Sequence, residues 1–248
     1  RKRHHGPVPL VGGIAMMLAL FFALMLLDMP LTPWRPLFVG MAILLLVGLF
    51  DDARELHPRN RLLAQVGVAL LMVFWGKVYL TDLGDLLGLG TLTLGWLALP
   101  VTVFAVVGVI NAVNLSDGMD GLAGSLALVT LGSMALVTQQ TNLLNLLILL
   151  MAVILGFLLF NLRSPWLAKA QIFMGDGGSL VLGFAIAWFA VALTQGEQRV
   201  IAPVTVLWLC AVPLFDTVAS LLRRALNRRI GRTGLARSYL AKLWASAA

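Results

Sequence analysis

Asn111-Ala-Val-Asn-Leu-Ser-Asp-Gly-Met-Asp-Gly-Leu-Ala-Gly-Ser125 separates two long apolar runs, one reaching back to about Thr93 and one continuing to about Thr138. Each run is close to the ~20 residues that an α-helix needs to cross a bilayer. Asn111, Asn114, Asp117 and Asp120 are therefore expensive residues in an apolar neighbourhood, and a ligand that needs carboxylates and amides at a membrane surface accounts for them. Two further polar interruptions have the same character: Phe50-Asp51-Asp52 and Phe173-Met-Gly-Asp-Gly-Gly-Ser179.

Composition agrees with helices in a membrane. Of 248 residues, 60% are hydrophobic and 12% charged, about half the charged share of soluble domains, and the mean hydropathy is +0.95. The expected fold is an all-α polytopic membrane protein, one bundle with a cleft on its cytoplasmic face. Residues 1–225 would form the transmembrane domain and 226–248 a basic cytoplasmic tail. The net charge of +7 sits in short loops rather than on a soluble face, so membrane lipids are the expected partner and nucleic acid is not. Arg1-Lys2-Arg3 leads into an ordinary span, unlike a cleavable signal peptide. Cys210, the single cysteine, lies in an apolar run and packs as a small hydrophobe.

Eight spans are expected, at 10–28, 36–50, 61–80, 93–113, 121–138, 142–161, 177–194 and 200–222. Threaded this way, fifteen of the 18 Lys and Arg residues fall on the side of the N-terminus and three, Arg35, Lys77 and Arg199, on the other. The asymmetry places the N-terminus in the cytoplasm. Acidic residues contribute little to that rule, yet the same threading puts Asp51, Asp52, Asp117, Asp120 and Asp176 together on the cytoplasmic side.

Each motif has a bland reading beside the chemical one. Asp51 and Asp52 could be solvated acids at a helix end, although acids are unfavourable at a C-terminus. Neighbours on a helix diverge by about 100°, so these two carboxylates cannot do the same job. One is expected to face a cation or a phosphate-bearing substrate, and the other to orient a lysine or a backbone group. Asp120 could cap the following helix, and Gly121 with Ser125 could serve helix packing alone. Neither explains Asn111 and Asn114. Asp176 falls at a helix N-terminus, where backbone N–H groups suit phosphate and a carboxylate can hold a divalent cation. Most loop cations set topology or touch anionic lipid, and some would clamp phosphates. His4, His5 and His57 lack zinc-ligand spacing. Acids and cations at one membrane face point to Mg²⁺ and a diphosphate, with a lipid as second substrate.

These motifs, in this order, resemble the polyprenyl-phosphate N-acetylhexosamine-1-phosphate transferases, especially those that use UDP-GlcNAc and undecaprenyl phosphate. The likeness runs from Arg1-Lys-Arg-His-His-Gly-Pro-Val-Pro-Leu-Val-Gly-Gly13 through the Asp51-Asp52 pair, the Asn111–Ser125 stretch and Phe173–Ser179 to Pro213-Leu-Phe-Asp216, covering about residues 1–225. It implies transfer of GlcNAc-1-phosphate from UDP-GlcNAc to undecaprenyl phosphate in the bacterial inner membrane, releasing UMP and starting a cell-envelope glycan. By the same resemblance Asp176 is the leading ligand for Mg²⁺, with Mn²⁺ as the alternative ion, and Asp120 is a second ligand. Asn114, Asp117, Phe173 and His5 would bind substrate, and Asp51, Asp52, Asp117 and Asp120 would be catalytic. A homodimer is compatible with the resemblance.

The family also carries a helix before the Arg1–His5 motif and a His-rich motif after the position of Asp216, whereas Arg228–Trp244 holds no histidine. A fragment, a shortened homologue or a divergent tail would each account for that. The competing expectations are a catalytically impaired membrane scaffold derived from the family and, from another class, a transporter with acids along a pore. A transporter places its ionisable groups at mid-membrane depth rather than at helix ends.

Overall fold

The helix at the centre spans Gly175–Thr194, and almost every one of its residues is buried. In the computed structural model, which describes residues 8–27, 29–85, 90–163, 167, 169–196 and 199–232, this helix (α7) is the most enclosed, and the others pack on it or on one another. They are α1 (Gly12–Leu26), α2 (Arg35–Arg54), α3 (Pro58–Phe74), α4 (Ala98–Ser116), α5 (Leu122–Val137), α6 (Thr141–Asn161), α8 (Pro203–Leu209) and α9 (Ala211–Arg232). The described residues contain no strand, though Asp82 and Thr93 form an isolated antiparallel bridge. α7 packs most extensively against α2 and α4, and also against α1 and α5; α5 and α6 form a hairpin.

Sequence explains why α7 is the hub. It is apolar on all sides, the pattern of a helix enclosed by protein or lipid. Its first turn carries glycines, so a neighbour can come very close. A Cβ on Gly48 of α2 would overlap the backbone of Gly177, which identifies a small-residue contact of the kind that drives helix association in membranes. Further along, Phe184 and Trp188 meet edge-on at 5.9 Å between ring centroids, and Phe189 meets Trp34 at 6.2 Å. α1 docks by its own N-terminus: the N–H groups of Gly12 and Gly13 donate to the carbonyls of Phe173 and Met174, at 2.9 and 3.0 Å. Two donors that a helix start leaves unsatisfied are thereby used to fix the segment leading into α7.

Outside this core, large apolar side chains face outward, among them Phe22, Leu26, Phe104, Leu136 and Leu159. Such a surface suits lipid, not water.

A helix lies at each of the eight expected positions, but not all are spans by length and composition. Four of the described helical segments are long and apolar enough: Thr32–Arg54, Gly95–Ser116, Thr141–Asn161 and Gly175–Thr194. Pro203–Leu209 with Ala211–Ser220 makes a fifth if the bent pair counts once. α1 and α5, of 15 and 16 residues, rise only about 22–24 Å against a hydrocarbon core of about 30 Å.

Three boundaries differ from expectation. The third helix stops at Phe74 rather than near 80, and the chain turns through Lys77 at φ +55°. The second extends past 50, so Asp51 and Asp52 lie inside the helix, which ends on Glu55 at φ +47°. The segment expected as one helix over 200–222 is broken at Cys210 by 70°. Pro213 has no N–H to give to the carbonyl of Leu209, and that carbonyl accepts instead from the Thr130 hydroxyl of α5 at 3.1 Å. The bend is thus satisfied from a neighbouring helix, as bilayer-depth backbone requires. α9 runs across the expected tail boundary at 225/226 to Arg232; the remainder of 226–248 lies outside the described residues.

Candidate active site

Four helix ends meet at one end of the bundle: the C-termini of α2 and α4 and the N-termini of α3 and α7. Asp51 and Asp52 lie in the last turn of α2, Arg61 in the first turn of α3, Asn114 in the last turn of α4, and Asp176 in the first turn of α7.

Arg61 joins them. Its Nη1 donates to Asp51 Oδ2 at 2.7 Å and lies 3.4 Å from Asp176 Oδ2, while its Nη2 donates to Asn114 Oδ1 at 2.9 Å. Asn114 Nδ2 in turn donates to Asp176 Oδ1 at 2.7 Å and to Ser179 Oγ at 2.8 Å. Asp51 also accepts the N–H of Leu56 through Oδ1, 2.8 Å. Beside this network Asn111 and Gln65 pair through their amides, with Asn111 Nδ2 donating to Gln65 Oε1 at 2.6 Å.

The two adjacent acids divide as the helical geometry requires. Asp51 faces the guanidinium, and Asp52 faces the backbone of α7. Asp52 Oδ1 accepts the N–H of Asp176 at 3.0 Å, and Oδ2 stands 3.5 Å from the N–H of Gly177. Gly175 is necessary for this fit: it adopts φ +73°, and a Cβ there would stand 2.6 Å from Asp52 Oδ2. This corrects one expectation. The first N–H groups of α7 are engaged by a carboxylate, the usual partner of a positive helix terminus, instead of standing open to phosphate.

The Asn111–Ser125 stretch contributes unevenly. Asp117 follows the end of α4, its N–H 3.3 Å from the Asn114 carbonyl. Asp120 is an almost fully buried carboxylate that accepts from Arg163 Nε at 2.9 Å, with the guanidinium largely in the open. Asn161 stitches the same region together. Its Oδ1 accepts from the N–H of Gly121 at 2.8 Å, and its Nδ2 donates to the Ile172 carbonyl at 2.7 Å. Phe173 is held through its backbone, donating to the Pro9 carbonyl at 3.0 Å and accepting from Gly12. His57 caps α3, its Nδ1 accepting from the N–H of Arg59 at 3.2 Å. His5 lies outside the described residues.

Asp51, Asp52, Asn114 and Asp176 therefore come together from three motifs, with Arg61 between them. Arg61, Gln65 and Ser179 were not singled out by sequence. Arg61 read as one of several loop cations, and its position four residues into a helix beginning at Pro58 was the only signal separating it from Arg54 and Arg59. No group of three or more His, Cys, Asp or Glu side chains able to hold a metal occurs among the described residues. Mg²⁺ does not require such a group, since it takes one or two carboxylates and fills its other positions with water and phosphate.

A cluster of oxygen donors around one guanidinium thus stands at the end of a bundle whose outer surface suits lipid. The glycosyl transferase family 4 model matches residues 34–194, and the chain belongs to that family. Its matched segment contains Asp51, Asp52, Arg61, Asn114 and Asp176.

Among curated relatives, the undecaprenyl-phosphate alpha-N-acetylglucosaminyl 1-phosphate transferase of Haemophilus influenzae is 40% identical over 228 residues, covering 90% of this chain and 64% of the relative. The proteins of the same name from Pasteurella multocida and Escherichia coli K12 are 39% and 36% identical over the same length, covering 90% of this chain and 64% and 62% of theirs. The chain thus spans a little under two thirds of the relatives it matches.

Proposed function

We propose that this chain is the membrane-embedded core of a transferase that moves GlcNAc-1-phosphate from UDP-GlcNAc to undecaprenyl phosphate. One observation carries the reading: residues from three distant motifs, Asp51, Asn114 and Asp176, are bonded into one network through Arg61. The family membership and the names of the relatives supply the substrates. In the reaction an oxygen of the lipid phosphate bonds to the β-phosphorus of UDP-GlcNAc. The bond from that phosphorus to the bridging oxygen breaks, and the electron pair leaves with UMP.

Asp51 Oδ2 and Asp176 Oδ2 both point at a single cationic nitrogen, so the donor set suits Mg²⁺. Asp176 and Asp51 would hold the ion. When bound, it supplies charge neutralisation for the diphosphate and the leaving UMP. Asn114 fixes the Asp176 carboxylate by one oxygen and leaves the other available. Asp52 holds the first turn of α7 and thereby the position of Asp176. The lipid phosphate is already ionised near neutral pH, so the site needs orientation more than a strong base.

Eight crossings in the bacterial inner membrane, with this end facing the cytoplasm, fit the placement of the cations. Arg54, Arg59, Arg61 and Arg163 lie on the site's side, and Arg35, Lys77 and Arg199 on the other. The acids also stand at helix ends rather than at mid-depth, which separates this site from a transport pathway. The test is transfer of radiolabelled GlcNAc-1-phosphate to undecaprenyl phosphate by the purified protein in nanodiscs, with Mg²⁺ and with EDTA. Mg²⁺-dependent product supports the reading. Binding of UDP-GlcNAc without turnover in either condition would leave a scaffold descended from the enzyme.

A further inference from the structure

We propose that Arg61 is the resident counter-cation of the metal-free site, and that a divalent ion binds only as Arg61 gives up its carboxylates. The inference rests on the metal-dependent reading above and concerns a competition which that reading does not contain.

The geometry sets up the competition. Nη1 of Arg61 is 2.7 Å from Asp51 Oδ2 and 3.4 Å from Asp176 Oδ2. An ion taking both oxygens needs bonds of about 2.1 Å, which puts it within about 5 Å of that nitrogen. Two cations so close repel strongly even with generous dielectric screening. Among the described residues Arg61 is the one cation that bonds both Asp51 and Asp176, so its removal without replacement would leave the two carboxylates facing each other.

The rest of the network allows the guanidinium to leave. Asp176 is anchored separately, its Oδ1 accepting from Asn114 Nδ2 at 2.7 Å, and Asn114 is braced by Ser179 at 2.8 Å. Asp51 is anchored separately by the N–H of Leu56. The carboxylates therefore stay in place when Arg61 departs. The Arg61 side chain is 26% exposed, so it has open space to turn into. Once displaced, its planar fork is free for a phosphate, the anion that it matches best. Arg61 would thus exchange two carboxylates for the substrate diphosphate as the ion arrives.

The experiment measures Mn²⁺ binding by electron paramagnetic resonance of the protein in nanodiscs, with Mn²⁺ alone and with UDP added. Arg61→Gln removes the charge and keeps a polar side chain. Arg61→Lys keeps the charge but lacks the fork that reaches Asp51 and Asn114 together, and it serves if the Gln variant does not fold. Expected is Mn²⁺ binding at least about tenfold tighter in Arg61→Gln than in the parent, with Arg61→Lys between them. UDP should tighten Mn²⁺ binding more in the parent than in Arg61→Gln, because in the parent it also draws the guanidinium away. Unchanged or weaker Mn²⁺ binding in both variants, with binding still dependent on Asp176, would overturn the competition and leave the metal site standing. Binding that is indifferent to Asp176→Asn, or absent even with UDP, would overturn the metal reading and the competition with it.

Discussion

The two ends of α7 carry polar clusters of opposite kind. At Asp176, two carboxylates share one guanidinium and a third, Asp52, takes backbone N–H groups, so among the described residues a single cation touches this group of three acids. At Thr194 the same helix runs into a cluster in which charge is balanced and donors meet acceptors. Gln195 Oε1 accepts from the N–H and hydroxyl of Thr81, at 2.8 and 2.7 Å, and Arg199 pairs with Asp82 at 2.9 Å. Gln195 Nε2 donates to the Asp82 carbonyl at 3.1 Å, and Asp82 Oδ1 also accepts the N–H of Gly84. The second cluster ties the loop after α3 to the turn after α7, and its bonds close among themselves. The first leaves negative charge to be met by something else. That surplus, more than the presence of acids, separates a place for a ligand from a structural clasp.

The largest effect expected is at Asp176. Asp176→Asn keeps the shape and the contact with Asn114 but removes the charge that an ion needs. Transfer should fall by at least about a thousandfold, the loss of several kcal/mol of charge stabilisation at the transferring phosphoryl group. Circular dichroism and detergent stability should stay near the parent's. Near-normal initial rates and Mg²⁺ dependence would reduce Asp176 to a helix-terminus residue, and the contrast between the two ends would go with it.

Gly48 comes next, because it sets how closely α2 and α7 approach. A Cβ there collides with the backbone of Gly177, and backbone cannot rotate aside. Gly48→Ala should cost about 1–3 kcal/mol of stability. It should also separate Asp51 and Asp52 from Asp176, and a misplacement of about 1 Å can cost about a hundredfold in rate. Thermal unfolding and transfer rate should therefore both drop. A rate loss without a stability loss would mean that the helices part locally rather than along their length.

Asp52 sharpens the division within the acid pair. As the cap of α7, Asp52→Ala should lose about 1–2 kcal/mol of stability and reduce the rate about tenfold by loosening the Asp176 turn. Asp52→Asn retains an accepting oxygen for the N–H of Asp176 and should recover most of the rate. If Asn were as inactive as Ala while remaining stable, Asp52 would be acting on the lipid phosphate directly.

Much of this site was legible because its residue types are costly in an apolar chain. Asp51, Asn114 and Asp176 stand out against membrane-grade runs, and the angular step between helix neighbours alone separates the roles of Asp51 and Asp52. Arg61 was not legible in the same way. Every cytoplasmic loop of a membrane protein carries cations, and which one folds inward depends on where α3 begins. The bend at Cys210 had its signal in Pro213, but the acceptor problem that it creates is solved by Thr130 on another helix, a contact no local pattern reveals. The clasp joins Thr81 and Asp82 to Gln195 and Arg199, more than a hundred residues apart; each reads alone as an ordinary turn residue.

The smallest effect is expected at that clasp, and it completes the contrast. Asp82→Asn leaves an oxygen able to accept from Gly84 and Arg199 while removing one charge of the pair. The Arg199 and Asp82 side chains are partly exposed, 30% and 20%, so water can solvate the arginine left behind. Exposed pairs of this kind contribute about 0–1 kcal/mol. Gln195 still holds Thr81 and the Asp82 carbonyl, so the loop after α3 should keep its place. The expected result is a loss of no more than about 1 kcal/mol in unfolding and a transfer rate within about twofold of the parent, measured in the same nanodisc preparation. A tenfold loss of rate with unchanged stability would show that the far end of α7 is felt at Asp176. The central helix would then transmit strain along its length, and the clasp would belong to the catalytic apparatus after all.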